Sequence, residues 1–600
     1  LRPRLDQAQL PAILTNTALP KPRRPDVICF SIIDWSFRYQ RPQQIMSQFA
    51  EAGHRVFYIN LTQHLRPAAG DLFRVRSIKP NVYELFLAVP QPLDVYSAAL
   101  AASQQQAVLA ALTALCQAYG LTEAIAYVMV PAWGAVASAA RERWGWQLVY
   151  DCMDEWENFP GLGRTVVTLE AKLVADCDLL VVTAQRLHEK WAQAGRPMVL
   201  ARNAVDFDYF AQRLAPNDRL ANVPRPIAGY YGAIADWFDA DLVRRVAASR
   251  PDCSFVLLGG VFDVDVTPLA ALPNVRLLGQ QPYETMPEYL FHFDVCLIPF
   301  KVSPITQATD PVKLYEYLSA GKPVVAVAMA ELEPYREHLY LANGHDEFLA
   351  CLDAALAEQD PERVRRRQAL ARANTWRARY DAISAAWRAQ VAPASIIIVT
   401  YNNLALTRLC LESVLRNTAY GQYEVIVVDN HSSDGTPAYL RTVAAAHQHV
   451  RVICNDANHG FARANNQGLA CATGEYLVLL NNDTEVEPTW LAELVACAEH
   501  YYGGGTEFEP WMREALKLVD EARFELADIV CISDGLTVLG KEIISEWHLR
   551  RERRGMRCYS VLLGTRQGLD RLEEISDHMF SLEDLSPESD EAILRSVFVL

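Results

Sequence analysis

The feature that most constrains this chain is a short apolar run followed by a helical segment, repeated until the pattern restarts twice, at Ile227 and at Ser395. Strand, loop, helix, strand is the βαβ unit of a parallel sheet, and such sheets bind ligands at the carboxyl ends of their strands. The first series starts with an apolar run at 27–33. An aromatic and basic loop follows (Asp34-Trp35-Ser36-Phe37-Arg38-Tyr39-Gln40-Arg41-Pro42), then a helix using Ile45, Met46 and Phe49 and closed by Gly53. Further apolar runs lie at 56–60, 126–130, 148–151 and 179–183. The second series occupies 227–231, 255–258, 275–278, 295–299 and 323–326. A helical stretch from Asp360 to Gln390 precedes the third series, at 395–400, 424–428, 450–454 and 476–480.

This reading predicts an α/β chain divided at 1–24 (tail or linker), 25–205, 206–390, 394–500 and 501–600. Six hundred residues allow about four folding units at roughly 150 residues each. An excess of acid over base, net −16, excludes a whole-molecule electrostatic grip on nucleic acid, so any phosphate must be held locally. Basic stretches at 365–367 and 550–554 read as solvated helix faces, or as contacts for an anionic head group if one borders a groove. The 13 cysteines are scattered and never form C-x-x-C, which argues against a disulfide framework and for a reducing cytoplasm. No apolar run spans a bilayer, and the first residue is Leu1, which fits a fragment.

The run Thr309-Asp310-Pro311-Val312-Lys313-Leu314-Tyr315-Glu316 reads as a helix start with Asp310 at the N-cap and Pro311 at N1. Its N–H groups and Lys313 favour a diphosphate, and Glu316 one turn on is placed to accept from a ribose diol. The plainer reading is a capped surface helix. Together with Gly321-Lys322-Pro323-Val324-Val325, Tyr39-Gln40-Arg41-Pro42, Tyr150-Asp151-Cys152-Met153-Asp154 and Tyr231-Gly232-Ala233-Ile234, the segment resembles GT-B glycosyltransferases of family 4 over about 25–390. The resemblance implies two Rossmann-like doubly wound domains and a metal-independent, retaining transfer from a nucleotide sugar. It implies that Glu316 holds the ribose, that Gly232 admits the diphosphate, and that Arg38 and Arg41 face the cleft. Two departures stand out: Ala308 replaces the carboxylate eight positions before Glu316, and Gly232 is followed by Ala233-Ile234-Ala235-Asp236 without the usual Arg and Lys. Phosphate neutralisation then moves onto Lys313. Asp151 and Asp154 at a strand end read equally as hydroxyl-orienting groups or as turn residues.

In the third series, Thr400-Tyr401-Asn402-Asn403, Val428-Asp429-Asn430 with Ser433-Asp434-Gly435, and Asn481-Asn482-Asp483 end successive strands. A carboxylate there is placed to bind a divalent cation that bridges two phosphates. With Asn458-His459-Gly460-Phe461-Ala462, Asn465 and Gly468, the segment 394–500 resembles inverting family 2 glycosyltransferases of GT-A fold, particularly rhamnosyltransferase-like members. The resemblance implies that Asp429 contacts the base, that Thr400, Tyr401, Asn402, Asn458, Gly460, Asn465 and Asn482 line the donor pocket, and that Asp483 holds Mg or Mn. The half that supplies the general base is not recognisable, so this module reads as a donor-binding front half. Beyond it, Gly503-Gly504-Gly505-Thr506 and Ile532-Ser533-Asp534-Gly535 resemble two loops of a von Willebrand factor A domain, as if a back half were joined near residue 500.

The resulting expectation is a cytoplasmic hexosyltransferase of cell-surface polysaccharide synthesis, with catalytic Glu316, Lys313 and Asp154. Its donor is a UDP-, GDP- or dTDP-sugar and its acceptor a glycan or lipid-linked molecule, with peripheral contact to the inner face of the membrane. The rival expectation is a non-catalytic nucleotide-sugar-binding or scaffold protein with an interaction tail.

Overall fold

The computed structural model describes residue 19 and residues 24–499, apart from 66–70, 97–98, 122, 159–163, 213–218, 419 and 488–489. Beyond 499 it describes 512–513, 516, 528–533, 541–554, 557–563, 575–576, 578–582 and 597–599. The chain forms two units, the first covering Leu1–Val391 with two short later pieces and the second the remainder.

The first unit contains two sheets. One runs β1 (Asp26–Phe30), β2 (Val56–Ile59), β3 (Phe73–Lys79), β4 (Val82–Leu87), β5 (Ala124–Val128), β6 (Gln147–Cys152), β7 (Leu179–Val182) and β8 (Met198–Leu200). Its spatial order is β3-β4-β2-β1-β5-β6-β7-β8. The strands pair parallel except β3 with β4. The chain leaves β1 toward β2 on one side and returns to β5 on the other, which opens a crevice at their carboxyl ends. The second sheet is all parallel in order β11-β10-β9-β12-β13-β14. It comprises β9 (Ile227–Tyr231), β10 (Ser254–Leu258), β11 (Val275–Leu277), β12 (Val295–Ile298), β13 (Val324–Val327) and β14 (Tyr340–Ala342). Here the order reverses about β9.

Strands β1, β5, β9, β10 and β12 are buried at every position, which is why they read as continuous apolar runs. The β3–β4 hairpin escaped that reading because it is an antiparallel flap whose outer strand alternates with charge, as in Arg74 and Arg76. Helix α1 (Arg41–Glu51) follows β1, and α2 (Val312–Ser319) follows β12. The helical stretch expected from Asp360 to Gln390 is made of two helices, α3 (Pro361–Ala373) and α4 (Trp376–Arg388), the second capped by the Thr375 hydroxyl, which accepts from the Ala378 N–H. Trp376, Tyr380, Ile383 and Trp387 of α4 pack into the core of the first sheet, so the chain crosses back to the half where it began.

The second unit holds the parallel order β17-β16-β15-β18-β22, from β15 (Ala394–Thr400), β16 (Tyr423–Asp429), β17 (Val450–Cys454), β18 (Tyr476–Asn481) and β22 (Val597–Val599). Helix α5 (Leu404–Asn417) follows β15, and α6 (Phe461–Cys471) follows β17. Close packing of α6 on the sheet requires Gly468, where a Cβ would lie 2.4 Å from Ile397. A separate parallel sheet joins β19 (Asp528–Ser533), β20 (Arg557–Leu563) and β21 (His578–Leu582). Residues 503–508 and 534–535, which carry the adhesion-loop resemblance, lie outside the described residues, as does most of the tail at 1–24. Among the described residues, no helix is long and apolar enough to cross a membrane.

Candidate functional site

In the first unit, the carboxyl ends of β9 and β10 press together. Gly232 follows β9 at φ +136° and Gly259 follows β10 at φ +152°. A Cβ on Gly259 would sit 1.8 Å from the Gly232 carbonyl oxygen, so this close approach admits no side chain. Over Gly232 lies the tip of Lys313, in the first turn of α2, with Cε and Nζ 2.9 and 3.0 Å from where a Cβ would stand.

The Lys313 ammonium rests 5.0 Å from the Tyr230 ring centroid and 4.6 Å from that of Phe300, and it makes no hydrogen bond or ion pair with a described residue. Burial pushes its pKa down to about 8, with Glu316 opposing. Glu316, 5% exposed, is pushed up to about 7 by burial, opposed by Tyr231 and Lys313. The buried Tyr231 hydroxyl beside it meets no hydrogen-bond geometry with any described atom. An ammonium, a carboxylate and a phenol thus share one apolar recess with unused hydrogen-bonding capacity.

The first sheet contributes from across the crevice. Gln43 Nε2 donates to the carbonyls of Asp34 and Trp35, which fixes the 34–40 loop. Arg38, on that loop, stacks its guanidinium 5.0 Å from Phe37 and 4.8 Å from Phe262, a residue of the second half. Gln44 Nε2 donates to the Tyr283 hydroxyl at 2.9 Å, and the Tyr283 ring lies 5.1 Å from Tyr39. Arg38 and Tyr283 therefore close the crevice from opposite halves.

Two expected roles need correction. Arg41 does not face the cleft: it is buried against Asp151, with Nε to Oδ2 at 3.0 Å and Nη2 to Oδ1 at 2.9 Å, while Nη1 donates to the Ala201 carbonyl. Nor does Asp310 cap α2, since Pro311 is the N-cap residue and the helix starts at Val312. The Asp310 carboxylate instead accepts from the Asn203 N–H at 2.6 Å and from the Tyr315 hydroxyl at 3.0 Å, tying the linker between the sheets to the head of α2. Burial raises it to about 6, opposed by Arg202. Ala308 is buried in the first core, so a carboxylate eight positions before Glu316 would lie among apolar side chains.

Asp154 stands two residues beyond β6, half-buried, and its carboxylate makes no hydrogen bond to a described residue. Burial raises it to about 6, assisted by Asp151 and Glu170. Tyr230, Phe300, Phe262 and Tyr283 were not singled out in the sequence, and Tyr231 was read only as part of the run before Gly232. The adjacent pair Tyr230-Tyr231 at a strand end was the available signal, masked because aromatic residues also favour strands.

In the second unit, the loops after β15 and β16 hold non-glycine residues in the left-handed region: Asn402 (φ 57°), Asn403 (φ 59°) and His431 (φ 73°). Strain of this kind persists only where surrounding bonds fix it. Here Asn402 Oδ1 accepts from the Ser433 N–H at 2.8 Å, and the Asn402 N–H donates to the Ser432 hydroxyl at 2.7 Å. Buried Asp429 accepts from the Ser432 N–H at 3.3 Å. Asn430 Nδ2 donates to Asn458 Oδ1, which also accepts from the Gly460 N–H. Asn465 is turned inward and donates to the Phe461 carbonyl. Asn482 Nδ2 donates to Thr407 Oγ1 at 3.0 Å, and Thr407 meets Thr400 at 2.6 Å. Asp483 is exposed beyond β18, and Tyr401 and Phe461 present bare rings, 52% and 58% exposed. Among the described residues, no three of His, Cys, Asp or Glu group together as a metal site.

Residues 228–358 match the family model of glycosyl transferases group 1, and residues 395–505 match that of glycosyl transferase family 2. Two stretches of the chain thus match glycosyltransferase families. The group 1 stretch carries Gly232, Lys313 and Glu316, and the family 2 stretch carries Asp429, Asn458, Asn465 and Asp483. TuaH of Bacillus subtilis (strain 168), named as a teichuronic acid biosynthesis glycosyltransferase, is 28% identical over 38% of this chain and 64% of its own length. Glycosyltransferase AglE of Haloferax volcanii is 32% identical over 19% of this chain and 39% of its own. This chain spans less than two thirds of the length of these curated relatives. The fold is also similar to sucrose-phosphate synthase from Thermosynechococcus elongatus, over 61% of this chain and 99% of that one, at 17% identity and a TM-score of 0.48.

Proposed function

We propose that the chain is a glycosyltransferase of cell-surface polysaccharide synthesis, taking a sugar from a nucleoside diphosphate donor to a glycan or lipid-linked acceptor. The carrying observation is the Lys313 ammonium, held over Gly232 between the Tyr230 and Phe300 rings with no ion pair to a described residue and with Glu316 acting on it without direct contact. A desolvated ammonium without a contact ion pair is costly, and a pyrophosphate supplies that contact. In this reading the C1–O bond from sugar to phosphate breaks, a C1–O bond to the acceptor oxygen forms, and the acceptor hydroxyl's proton passes to the departing diphosphate. Lys313, the Gly232 backbone and the head of α2 stabilise the departing diphosphate, and Arg38 adds charge from the opposite half. Glu316 accepts from the ribose hydroxyls, and Asp154 orients a sugar or acceptor hydroxyl. Similarity to group 1 supports the assignment of these roles.

The second unit serves in this account as a nucleotide-sugar-binding module. Asp429 meets the base, Thr400, Tyr401, Asn402, Asn458, Gly460, Asn465 and Asn482 shape the pocket, and Asp483 is the ion's protein ligand. One exposed carboxylate fits Mg or Mn, because such ions take one or two carboxylates and complete their shell with water and substrate phosphates. When bound, the ion neutralises the diphosphate. We read 501–600 as an adhesion-domain-like segment, supported by its parallel β19-β20-β21 order, and place the protein at the cytoplasmic face of the membrane.

Assaying nucleotide release over a panel of nucleotide sugars, with and without EDTA, tests this. Release that survives EDTA and disappears in Glu316→Ala supports transfer in the first unit. No release with any donor favours a scaffold.

A further inference from the structure

The basic stretch at 365–367 is not consumed by the donor crevice. It borders a cavity of about 440 Å³ between the end of the segment Ala330–His338 and the first turns of α3, lined by Glu337, His338, Asp360, Arg363, Arg366 and Arg367. We propose that this cavity is a binding site for a phosphomonoester. Its volume falls in the ordinary range of small-ligand pockets, about 300–1,000 Å³.

The charges there are unevenly answered. Fully buried Arg367 holds Glu358 with Nη1 and Nη2 at 2.5 and 2.6 Å, and its Nε donates to the His338 carbonyl. Arg363 approaches the same carboxylate at 3.1 Å while its Nη1 donates to the Tyr340 hydroxyl, so one anion serves two guanidinium groups. Arg366 comes only within 3.7 Å of Glu362, a carboxylate that Arg365 already holds at 2.7 Å. Asp360 accepts from the Glu362 N–H at the start of α3, so its carboxylate and that of exposed Glu337 are the acidic groups of the lining, against three guanidinium groups.

The His338 ring makes no hydrogen bond to a described residue. Burial holds its pKa below the usual value; Glu337 opposes this, and Arg367, Arg366 and Arg363 add to it. Arg363, Arg366 and the His338 ring therefore bring donors to the cavity lining that a phosphomonoester, with a charge of about −1.5 to −2, matches in sign. Gln368 of α3 donates to the carbonyl of Ser319, the last residue of α2, so the cavity lies toward the opposite end of α2 from Lys313. The inference stands apart from the donor reading.

The same chemistry is carried by a free phosphate ester and by a phosphatidic acid head group, and the experiment separates them. The full chain is titrated with inorganic phosphate while the His338 ring is followed by NMR, with His338→Asn for assignment. In parallel it is sedimented with phosphatidylcholine vesicles with and without phosphatidic acid. Arg366, two thirds exposed, is replaced by Gln without disturbing the core; Arg363→Gln is the second variant. A rise in the His338 pKa on adding phosphate, with affinity lowered at least about tenfold in both variants, supports a soluble ligand. Sedimentation that needs phosphatidic acid and is lost in both variants supports the lipid source. A His338 ring unmoved by phosphate together with indifference to phosphatidic acid overturns the proposal, as does binding that survives both substitutions.

Discussion

Arg41 and Asp151, 110 residues apart in sequence, form a two-point ion pair beneath the crevice in which the side chains keep 4% and 0% of their surface exposed. Tyr127 adds a third bond to the carboxylate at 2.9 Å. Removing one partner of such a pair strands a buried charge. Arg41→Ala is therefore expected to cost about 3–5 kcal/mol in denaturant unfolding. Nucleotide binding by the molecules that remain folded should stay near wild type; a selective loss of affinity at unchanged stability would return Arg41 to the site.

Gly232 answers differently. Alanine there must adopt φ +136° and displace the Lys313 tip, whose Cε is 2.9 Å from the added methyl group. Strain of about 1–3 kcal/mol and a displaced ammonium follow. Nucleoside diphosphate affinity, measured calorimetrically, should fall by at least about tenfold. Wild-type affinity in Gly232→Ala would place the phosphates elsewhere.

The crevice titrates at two points. Glu316 must ionise, near pH 7, to accept a hydrogen bond from each of two ribose hydroxyls, and Lys313 must stay protonated, below about pH 8, to meet the pyrophosphate. Donor affinity is expected to rise through pH 7 and fall through pH 8, and Glu316→Gln should abolish the rising limb. Stability carries the linked signs. The native state retains the Glu316 proton longer than the unfolded chain, so this group lowers stability as pH rises from the ordinary carboxylate range to about 7. Lys313 loses its proton earlier when folded, so its penalty is relieved as pH rises from about 8.

His54 gives a second pH dependence, remote from the crevice. Its ring lies between the Pro25 carbonyl at 2.6 Å and the Tyr380 hydroxyl of α4 at 3.1 Å, and burial lowers its pKa to about 4. Protonation then favours unfolding, so stability should decline as pH falls from about 6.5 toward 4. His54→Ala should remove this limb and cost about 1–3 kcal/mol at neutral pH through the stranded Tyr380 hydroxyl, as read by thermal unfolding across pH.

The parallel sheets were legible because strands covered on both faces, such as β15 and β9, carry an unbroken apolar signal. Strand-end placement of Asp429 and Asp483 was legible for the same reason, since a polar group that ends such a run has few other positions, whereas Lys313 and Glu316 were legible from the helix start at 309–316. What the sequence concealed was pairing across distance. Nothing local distinguishes Arg38, which stacks on Phe262, from Arg41, which is spent on Asp151. Nor does sequence show that Asp310 turns to Asn203 rather than capping its own helix, because the choice depends on a linker more than a hundred residues earlier.

The central claim is that Lys313 grips a pyrophosphate, and isothermal calorimetry of the full chain with UDP, GDP and dTDP in EDTA tests it most directly. EDTA silences any ion-dependent binding at Asp483. The account predicts that at least one of the three binds, and that Lys313→Gln weakens it by about 10- to 150-fold, the loss of a charge-assisted bond worth about 1.5–3 kcal/mol. Equal binding by wild type and Lys313→Gln, or none by any of the three, would contradict it.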